Sequence, residues 1–391
     1  MKYTVTKNNK MIAIIMMAVG VLAIAYGFMT NPNRQWANLL VDNFYFMAIA
    51  LCGTFFVAVQ YMAQAGWSAV VKRVPEAMGQ FLPVSAVVMF IIFIFHGHDL
   101  YHWTHKELFD PASPEYDKII AGKAGYLNTP FFLIRMVLCF GLWILFTRMF
   151  RKESIAEDLD SSFKHFDKSI TLAAAFLVIF AVSSSTSAWD FLMSIDTHWF
   201  STMFGWYTFA GLFVSGMSVT ILLILYLKNK GYMQEVNENH LHDVGKFLFG
   251  FSIFWTYLWF CQFMLIWYAN LPEEVYYFQE RWEHGYKTLF ILNFFINFIM
   301  PFLVLMARDT KRNKKFLFVG AAIVFCGHWL DVFLMVMPGT VKAEWGIGII
   351  EIGTFLGFLG LFIWIVFHSL AKANVVPKHH PMLNESLRHH I

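Results

Sequence analysis

The sequence places an imidazole and a carboxyl group one helical turn apart inside a long apolar stretch. They belong to His328 and Asp331, which lie within an apolar run over residues 316–337. Residues three apart on a helix share a face, so the two side chains are expected to face the same way. An imidazole changes charge near neutral pH and, with a carboxylate, can pass protons through an apolar region. Structural hydrogen bonding explains the pair equally well.

Other polar residues gather toward one end of further apolar stretches. A run of serine and threonine leads into Trp189-Asp190, Glu351 begins another stretch, and Arg135 is an obvious counter-charge for a nearby acid. Serines in such a run either line a water path or bond carbonyls of their own helix and allow close packing. The residues predicted for a proton path are His328, Asp331, Arg135, Glu351, Ser184 and Ser187.

A histidine cluster lies at the end of a different apolar stretch, residues 83–101, and just after it. It consists of His96, His98, His102 and His105, with Asp99 among them. Helical spacing of this kind can hold a metal ion, but a surface cluster outside the membrane is the preferred interpretation. We therefore predict no metal site.

The sequence also argues against a resident redox cofactor. The cysteines Cys52, Cys139, Cys261 and Cys326 each lie alone in a separate apolar run, and no Cys-x-x-Cys occurs. Iron–sulfur ligation and covalent haem attachment are therefore not expected. Haem b needs two histidines that face each other within the membrane, and His328 is the only one well inside a span. We predict that the chain binds no redox cofactor of its own.

The elements that must position these residues are membrane helices. Of 391 residues, 58% are hydrophobic and 14% are charged, against about 25% charged in soluble domains. A bilayer requires apolar lipid-facing positions and about 20 residues per span. The net charge of +3, without a basic stripe, gives no indication of nucleic-acid binding. The prediction is an all-α polytopic protein, a single membrane domain over residues 1–391, with spans at about 11–29, 44–65, 83–101, 130–150, 169–189, 203–227, 246–269, 286–307, 316–337 and 347–370.

Lysine and arginine are distributed unequally between alternate connecting segments. With the N-terminus inside, the inner segments hold 21 of the 29 basic residues and the outer ones 7, while Arg135 lies in a span. Positive residues favour the cytoplasmic side, so both termini are predicted to be cytoplasmic. Segment 102–129 is predicted to be an outer capping loop with a short helix. Segment 151–168 alternates charges and is predicted to be a solvated helix on the cytoplasmic face.

Two stretches and two short motifs are more specific than composition. The stretches are WDFLMSIDTHWFSTMFGWY at residues 189–207 and QFMLIWYANLPEE at residues 262–274, and the motifs are GHWLD at 327–331 and VMPG at 336–339. In these stretches and motifs, the chain resembles the NrfD-like integral membrane subunits of bacterial alternative complex III, a quinol:cytochrome c oxidoreductase. The resemblance covers nearly the whole chain and is greatest to the shorter of the two paralogous membrane subunits of that complex.

The resemblance implies a fold, a location and a set of partners. The fold would be two four-helix bundles, spans 2–5 and 6–9, with spans 1 and 10 peripheral. The chain would lie in the bacterial inner membrane as a cofactor-free subunit that supports the complex and conducts protons, and would not be catalytic alone. Haems c and iron–sulfur clusters would reside on partners. These are a paralogous quinol-binding membrane subunit, an iron–sulfur subunit, multihaem cytochrome c subunits and, in some assemblies, a terminal oxidase.

Two other functions stay open at the level of sequence. In the first, the chain is itself a quinone- or quinol-binding subunit, and His98, Asp99 or Asp190 bonds the head group. In the second, the chain is a secondary transporter. Transporters tend to have Gly- or Pro-broken spans near the midplane, whereas Pro83, Pro301 and Pro338 lie near span ends here.

Overall fold

Ten long helices make up the membrane part of the protein. The computed structural model describes residues 1–390, in which no β-strand occurs and each of the ten helices is long and apolar enough to cross a membrane. The helices are α1 (Lys7–Thr30), α2 (Pro32–Met62), α3 (Arg73–Leu100), α4 (Thr129–Ala156), α5 (Lys164–Ile195), α6 (Met203–Asn229), α7 (Glu238–Ala269), α8 (Lys287–Leu305), α9 (Lys314–Thr340) and α10 (Ile349–Ala371). The predicted all-α, ten-span architecture is confirmed.

The helices are mostly longer than the apolar runs that predicted them. The largest shift of a helix start is at α2, which begins at Pro32, well before the apolar run that starts near residue 44. The Asn31 side chain accepts the backbone N–H of Arg34, and proline is well suited to the first helical position. Polar residues that hydropathy assigns to a loop therefore belong to the first turns of α2.

Eight of the helices form two four-helix bundles. Helices α2, α3, α4 and α5 surround one interior, and α6, α7, α8 and α9 surround the other. The bundles meet where α2 packs against both α6 and α9. Each bundle is therefore built from four consecutive helices, which places side chains from four different spans around one centre.

Helices α1 and α10 lie outside both bundles and pack against each other. A Cβ added at Gly357 of α10 would lie only 2.7 Å from the Cα of Gly20 in α1, and one added at Gly353 would meet Ala23. Small residues of this kind let two helix backbones approach closely in a membrane, where van der Waals contact is a main source of association. The pair then rests on the first bundle through contacts of α10 with α2 and α3.

The predictions for the two connecting segments, 102–129 and 151–168, have different outcomes. The capping segment after α3 contains the expected short helix, at Lys118–Gly122. The prediction of a separate solvated helix over 151–168 was wrong, because α4 continues to Ala156 and a turn then leads into α5. Arg151 is buried and pairs with Glu76 at 2.8 Å. Nearby, Glu157 is also buried and lies 2.6 Å from the ammonium of Lys72. Much of the charge alternation thus serves buried ion pairs with α3 and the turn before it.

The C-terminal tail after α10 crosses the ends of both bundles. Asn374 donates to Asp158 in the α4–α5 turn, and His389 lies 2.6 Å from Asp243 near the start of α7. Between them, His380 is buried and its Nδ1 accepts the backbone N–H of Met382. Burial lowers the pKa of His380 to about 2, and the charges of Lys72 and Arg73 add to this effect.

Candidate functional site

A buried carboxyl group occupies the centre of the second bundle. Asp331 of α9 accepts a short hydrogen bond from the Tyr207 hydroxyl of α6. The Trp255 indole of α7 donates to its Oδ2 at 3.0 Å, and the Asn293 amide of α8 donates to its Oδ1 at 2.8 Å. Each of the other three helices thus supplies one donor. An ionised carboxylate only accepts hydrogen bonds, so three donors suit its charged form.

His328 lies on the same side of α9 as Asp331, as the spacing of the two residues indicates. Its Nδ1 is 3.9 Å from Asp331 Oδ2, which is too long for a hydrogen bond. Both ring nitrogens are buried, and neither has a partner in the described part of the chain. The ring meets Trp255 edge to face with centroids 5.2 Å apart. A small approach of His328 toward Asp331 would therefore join an unpaired nitrogen to the carboxylate.

An irregular turn in α8 orients the amide that bonds Asp331. Residues Phe295–Ile299 form a π-helical turn between two α-helical segments. Within it, Asn297 donates at 2.6 Å to the Asn293 side-chain oxygen and at 3.0 Å to the Gly327 carbonyl of α9. The Asn293 oxygen is thereby occupied and its NH2 group is directed at Asp331. π-turns often occur at functional sites, because they shift side chains out of the regular helical register.

A small cavity adjoins the carboxylate. It is lined by Tyr207, Trp259, Gln262, Asn293, Asp331 and Arg281, among others, and its volume is about 20 Å³ measured to the centre of a water-sized sphere. A buried water needs about 10–15 Å³ on this measure, so the cavity is of water size and much smaller than a quinone ring. A single water there would reach several polar groups at once.

Arg281 forms the cavity wall on the side of the α5–α6 connection. It donates to Asp196 Oδ2 at 3.2 Å and to the Met335 carbonyl at 3.0 Å, and its guanidinium lies 3.3 Å from the centre of the Tyr277 ring. Arginine does not release its proton in proteins. Arg281 therefore contributes a fixed positive charge beside the cavity.

The first bundle has its own buried pair, in which Arg135 finds its acid. The guanidinium of Arg135 in α4 binds both oxygens of Asp190 in α5, at 2.7 and 2.9 Å. It also donates to the Tyr126 carbonyl at 3.0 Å and lies over the Tyr126 ring. Both partners of this two-bond pair are buried. The carboxylate of Asp190 is therefore fully engaged within the protein.

The remaining predicted proton-path residues lie in separate places. Glu351 of α10 binds Arg34 at 2.7 and 2.9 Å and accepts the backbone N–H of Gly348 at the start of its own helix. Ser187 donates to the Ser184 carbonyl within α5. Of the predicted set, the structure brings together His328 with Asp331 and Ser184 with Ser187. Arg135 instead pairs with Asp190, which was predicted for a quinone head group.

The residues predicted for a quinone head group are likewise apart. Asp99 pairs with His96 at 3.0 Å, and its side chain is 57% exposed. The His98 ring stacks on His105 with centroids 3.8 Å apart. Asp190 is bound by Arg135. No group of three or more His, Cys, Asp or Glu residues within positions 1–390 is arranged to hold a metal ion.

A larger crevice lies between the two bundles, at α5 and α6. Its volume is about 440 Å³ on the same measure as above, and its wall includes the hydroxyl-bearing Ser184 and Ser185. Three phenylalanines and Trp206 supply aromatic surface, and Trp206 is 63% exposed, so the crevice reaches the outside of the helix bundle. This space is large enough for an aromatic ring with an attached chain.

Sequence reasoning missed most of the groups around Asp331. Tyr207, Trp255 and Arg281 gave no signal, because aromatic residues occur throughout the spans and Arg281 was assigned to a loop. The pair Asn293 and Asn297 did carry a signal: two amides four residues apart in a phenylalanine-rich span share a helix face. No protein-family model matches the sequence, and no curated protein matches it.

Proposed function

We propose that this chain is a cofactor-free membrane subunit of a respiratory quinol:cytochrome c oxidoreductase of the alternative complex III type, which supports the complex and conducts protons. The observation that carries the proton role is the Asp331 cluster, in which a buried carboxylate meets three donors, an unpaired histidine and a water-sized cavity. The sequence motifs supply the assignment to a respiratory complex, and the two bundles with α1 and α10 outside them agree with the layout which that resemblance implies.

The chemistry available to Asp331 is reversible protonation. A proton that arrives by water in the cavity would neutralise the carboxylate and turn one of its oxygens into a donor. The nearest unpaired acceptor is then His328 Nδ1, 3.9 Å from Oδ2. Transfer to the imidazole restores the carboxylate and its three hydrogen bonds.

The proposed partners are a paralogous quinol-binding membrane subunit, an iron–sulfur subunit and multihaem cytochrome c subunits, with a terminal oxidase in some assemblies. In this proposal the membrane is the bacterial inner membrane and both termini are cytoplasmic. A mild-detergent affinity purification from native membranes tests the assignment. Haem-c absorption with an iron–sulfur protein and a longer paralogue supports it. A colourless, solitary protein would contradict it and favour a secondary transporter.

The proton role has a separate test in the intact complex. Asp331→Leu and His328→Leu are expected to lower the number of protons released per quinol oxidised in proteoliposomes, while the affinity for quinol stays unchanged. Asp309→Asn, at an exposed carboxyl outside the cluster, is the matched control and should leave the ratio unaltered. An unaltered ratio in an intact Asp331→Leu complex would leave only the structural role.

A second candidate function is quinone or quinol binding by this chain, and the α5–α6 crevice is the observation that favours it. Ser184 and Ser185 offer hydroxyl donors for the carbonyls of a head group, and the aromatic walls suit its ring. A photoreactive quinone analogue should then label α5 or α6, and excess unlabelled quinone should suppress the labelling. Substitution of Trp206 by alanine should weaken it. Absence of suppressible labelling in these helices would exclude the crevice as a quinone site.

A further inference from the structure

A row of buried polar side chains runs along α2, away from the Asp331 cluster. Gln35, Asn38 and Asp42 follow one another at intervals of three and four residues, so they share one helix face, and none of them is exposed. The row faces α10 and α9. Gln35 donates to Thr354, Asn38 donates to the Ile350 carbonyl, and Asp42 Oδ1 accepts the Trp329 indole N–H at 2.7 Å.

Each residue of the row keeps one oxygen without a donor. These atoms are Gln35 Oε1, Asn38 Oδ1 and Asp42 Oδ2, and all three are buried. Buried polar atoms in proteins nearly always have a partner. The Gln35 and Asn38 amides each donate to a neighbouring helix, yet none of the three oxygens accepts a hydrogen bond, and an ionised Asp42 adds no hydrogen atom to the row.

The charge of Asp42 is also unbalanced in the described part of the chain. No lysine, arginine or histidine in this part lies within ion-pair distance of it, and Arg34, two turns earlier on α2, is bound to both oxygens of Glu351. An isolated ionised carboxylate in an apolar environment costs several kcal/mol or more, so a group in this position takes up a proton instead.

The contrast with the other buried acids supports this interpretation. Asp331 has three donors and Asp190 has a two-bond arginine, and both arrangements stabilise a negative charge. Asp42 has one indole N–H. Two buried aspartates thus have several donors or an arginine around the carboxylate, whereas the third, at the seam of α2 with α9, has a single neutral donor.

We propose that Asp42 is a proton-binding site: a neutral carboxyl whose Oδ2–H supplies the row with its missing donor, and which exchanges this proton along α2. Asn38 Oδ1, one turn away, is the natural acceptor for it. The row continues past Gln35 to the Arg34–Glu351 pair at the beginning of α2. It is a second site, distinct from Asp331, and its protonation does not depend on the function proposed above.

Infrared spectroscopy of the full chain in lipid bilayers tests the protonation state directly. With aspartate labelled by ¹³C at the side-chain carboxyl, a protonated aspartate is recognised by a carbonyl stretch that moves on labelling. At neutral pH the wild type is expected to show this band, Asp42→Asn to lose it, and Asp99→Asn, at an exposed carboxyl, to keep it. Asp42→Asn is also expected to leave the unfolding midpoint unchanged, because its NH2 group replaces the proposed O–H donor. A spectrum without the band at neutral pH would overturn the proposal.

A second variant keeps the test decisive if Asp42→Asn does not fold. Trp329→Phe removes the single hydrogen bond to Oδ1, so the band of a protonated Asp42 should shift without disappearing. Loss of the band on addition of Na⁺ would instead indicate a cation site among the three oxygens and overturn the assignment to a proton. Transfer into D₂O tests exchange along the row. The band should shift in the folded protein, and a band that stays unchanged would exclude the proton route.

Discussion

Removal of Arg135 should expose how strongly the first bundle depends on one buried ion pair. The substitution Arg135→Leu takes away two hydrogen bonds to Asp190, at 2.7 and 2.9 Å, and one to the Tyr126 carbonyl. It leaves the Asp190 carboxylate buried with no counter-charge. Removal of one partner from a buried pair typically costs about 3–5 kcal/mol of unfolding free energy. We expect a loss in that range for Arg135→Leu.

The double variant Arg135→Leu/Asp190→Leu separates the ion pair from the other contacts. Replacement of both partners by apolar residues is often close to neutral, because no uncompensated charge stays in the interior. The Tyr126 carbonyl still loses its donor, which costs about 1 kcal/mol. We therefore expect the double variant to lie within about 2 kcal/mol of the wild type and to be more stable than either single variant.

The assay is equilibrium unfolding in mixed micelles, followed by loss of helical circular dichroism, for all four proteins of the cycle. Quinol turnover of the proposed complex is measured in parallel, because Asp190 is also a candidate quinone ligand. If the acid is structural, stability and turnover should recover together in the double variant. Recovery of stability without turnover would assign Asp190 a role beyond the ion pair. A double variant as unstable as Arg135→Leu would refute the reasoning.

Three further predictions concern different parts of the protein. Gly357→Ala should destabilise the protein in thermal unfolding and separate α1 from α10, because the added Cβ meets the backbone of α1. At Gly141 an added Cβ meets nothing within 4 Å, so Gly141→Ala should be neutral or stabilising by up to about 1 kcal/mol. Trp255→Phe should lower the unfolding free energy by about 1–3 kcal/mol, since it removes a donor to Asp331; an unchanged value would indicate that this bond is not formed. Acid should release the C-terminal tail. The folded pKa of His380 lies below that of a free histidine, about 6.5, so the tail is fully held above that pH and loosens as pH falls toward about 2. The free energy that holds the tail in place should fall by about 1.4 kcal/mol for each pH unit below 6.5. Protease release of the tail measures it, and His380→Gln should remove this pH dependence.

Much of the architecture follows from local properties of the sequence. An apolar run of sufficient length has to cross a bilayer, so the ten spans are set by hydropathy without reference to their neighbours. The shared orientation of His328 and Asp331 is equally local, because helical periodicity alone fixes it.

The contacts between spans were decided by tertiary packing. The sequence indicated that Arg135 needs an acid, yet it could not select Asp190, which lies 55 residues away on another helix. The charged segment after α4 gave the wrong prediction for a similar reason: its partners are on α3 and the turn before it. The neutral form proposed for the Asp42 carboxyl depends on the placement of α9 and α10 beside α2.

What the sequence by itself determined is therefore the number, approximate position and helical character of the spans, together with a few of the polar residues that enter them. What only the tertiary structure decided is which of these residues meet. The physical reason lies in the composition. In a chain that is 58% hydrophobic, lipid-facing and interior positions are both apolar, so hydropathy does not distinguish the faces of a helix. The three donors around Asp331 come from three different helices, and only packing of the bundle directs them at one carboxylate.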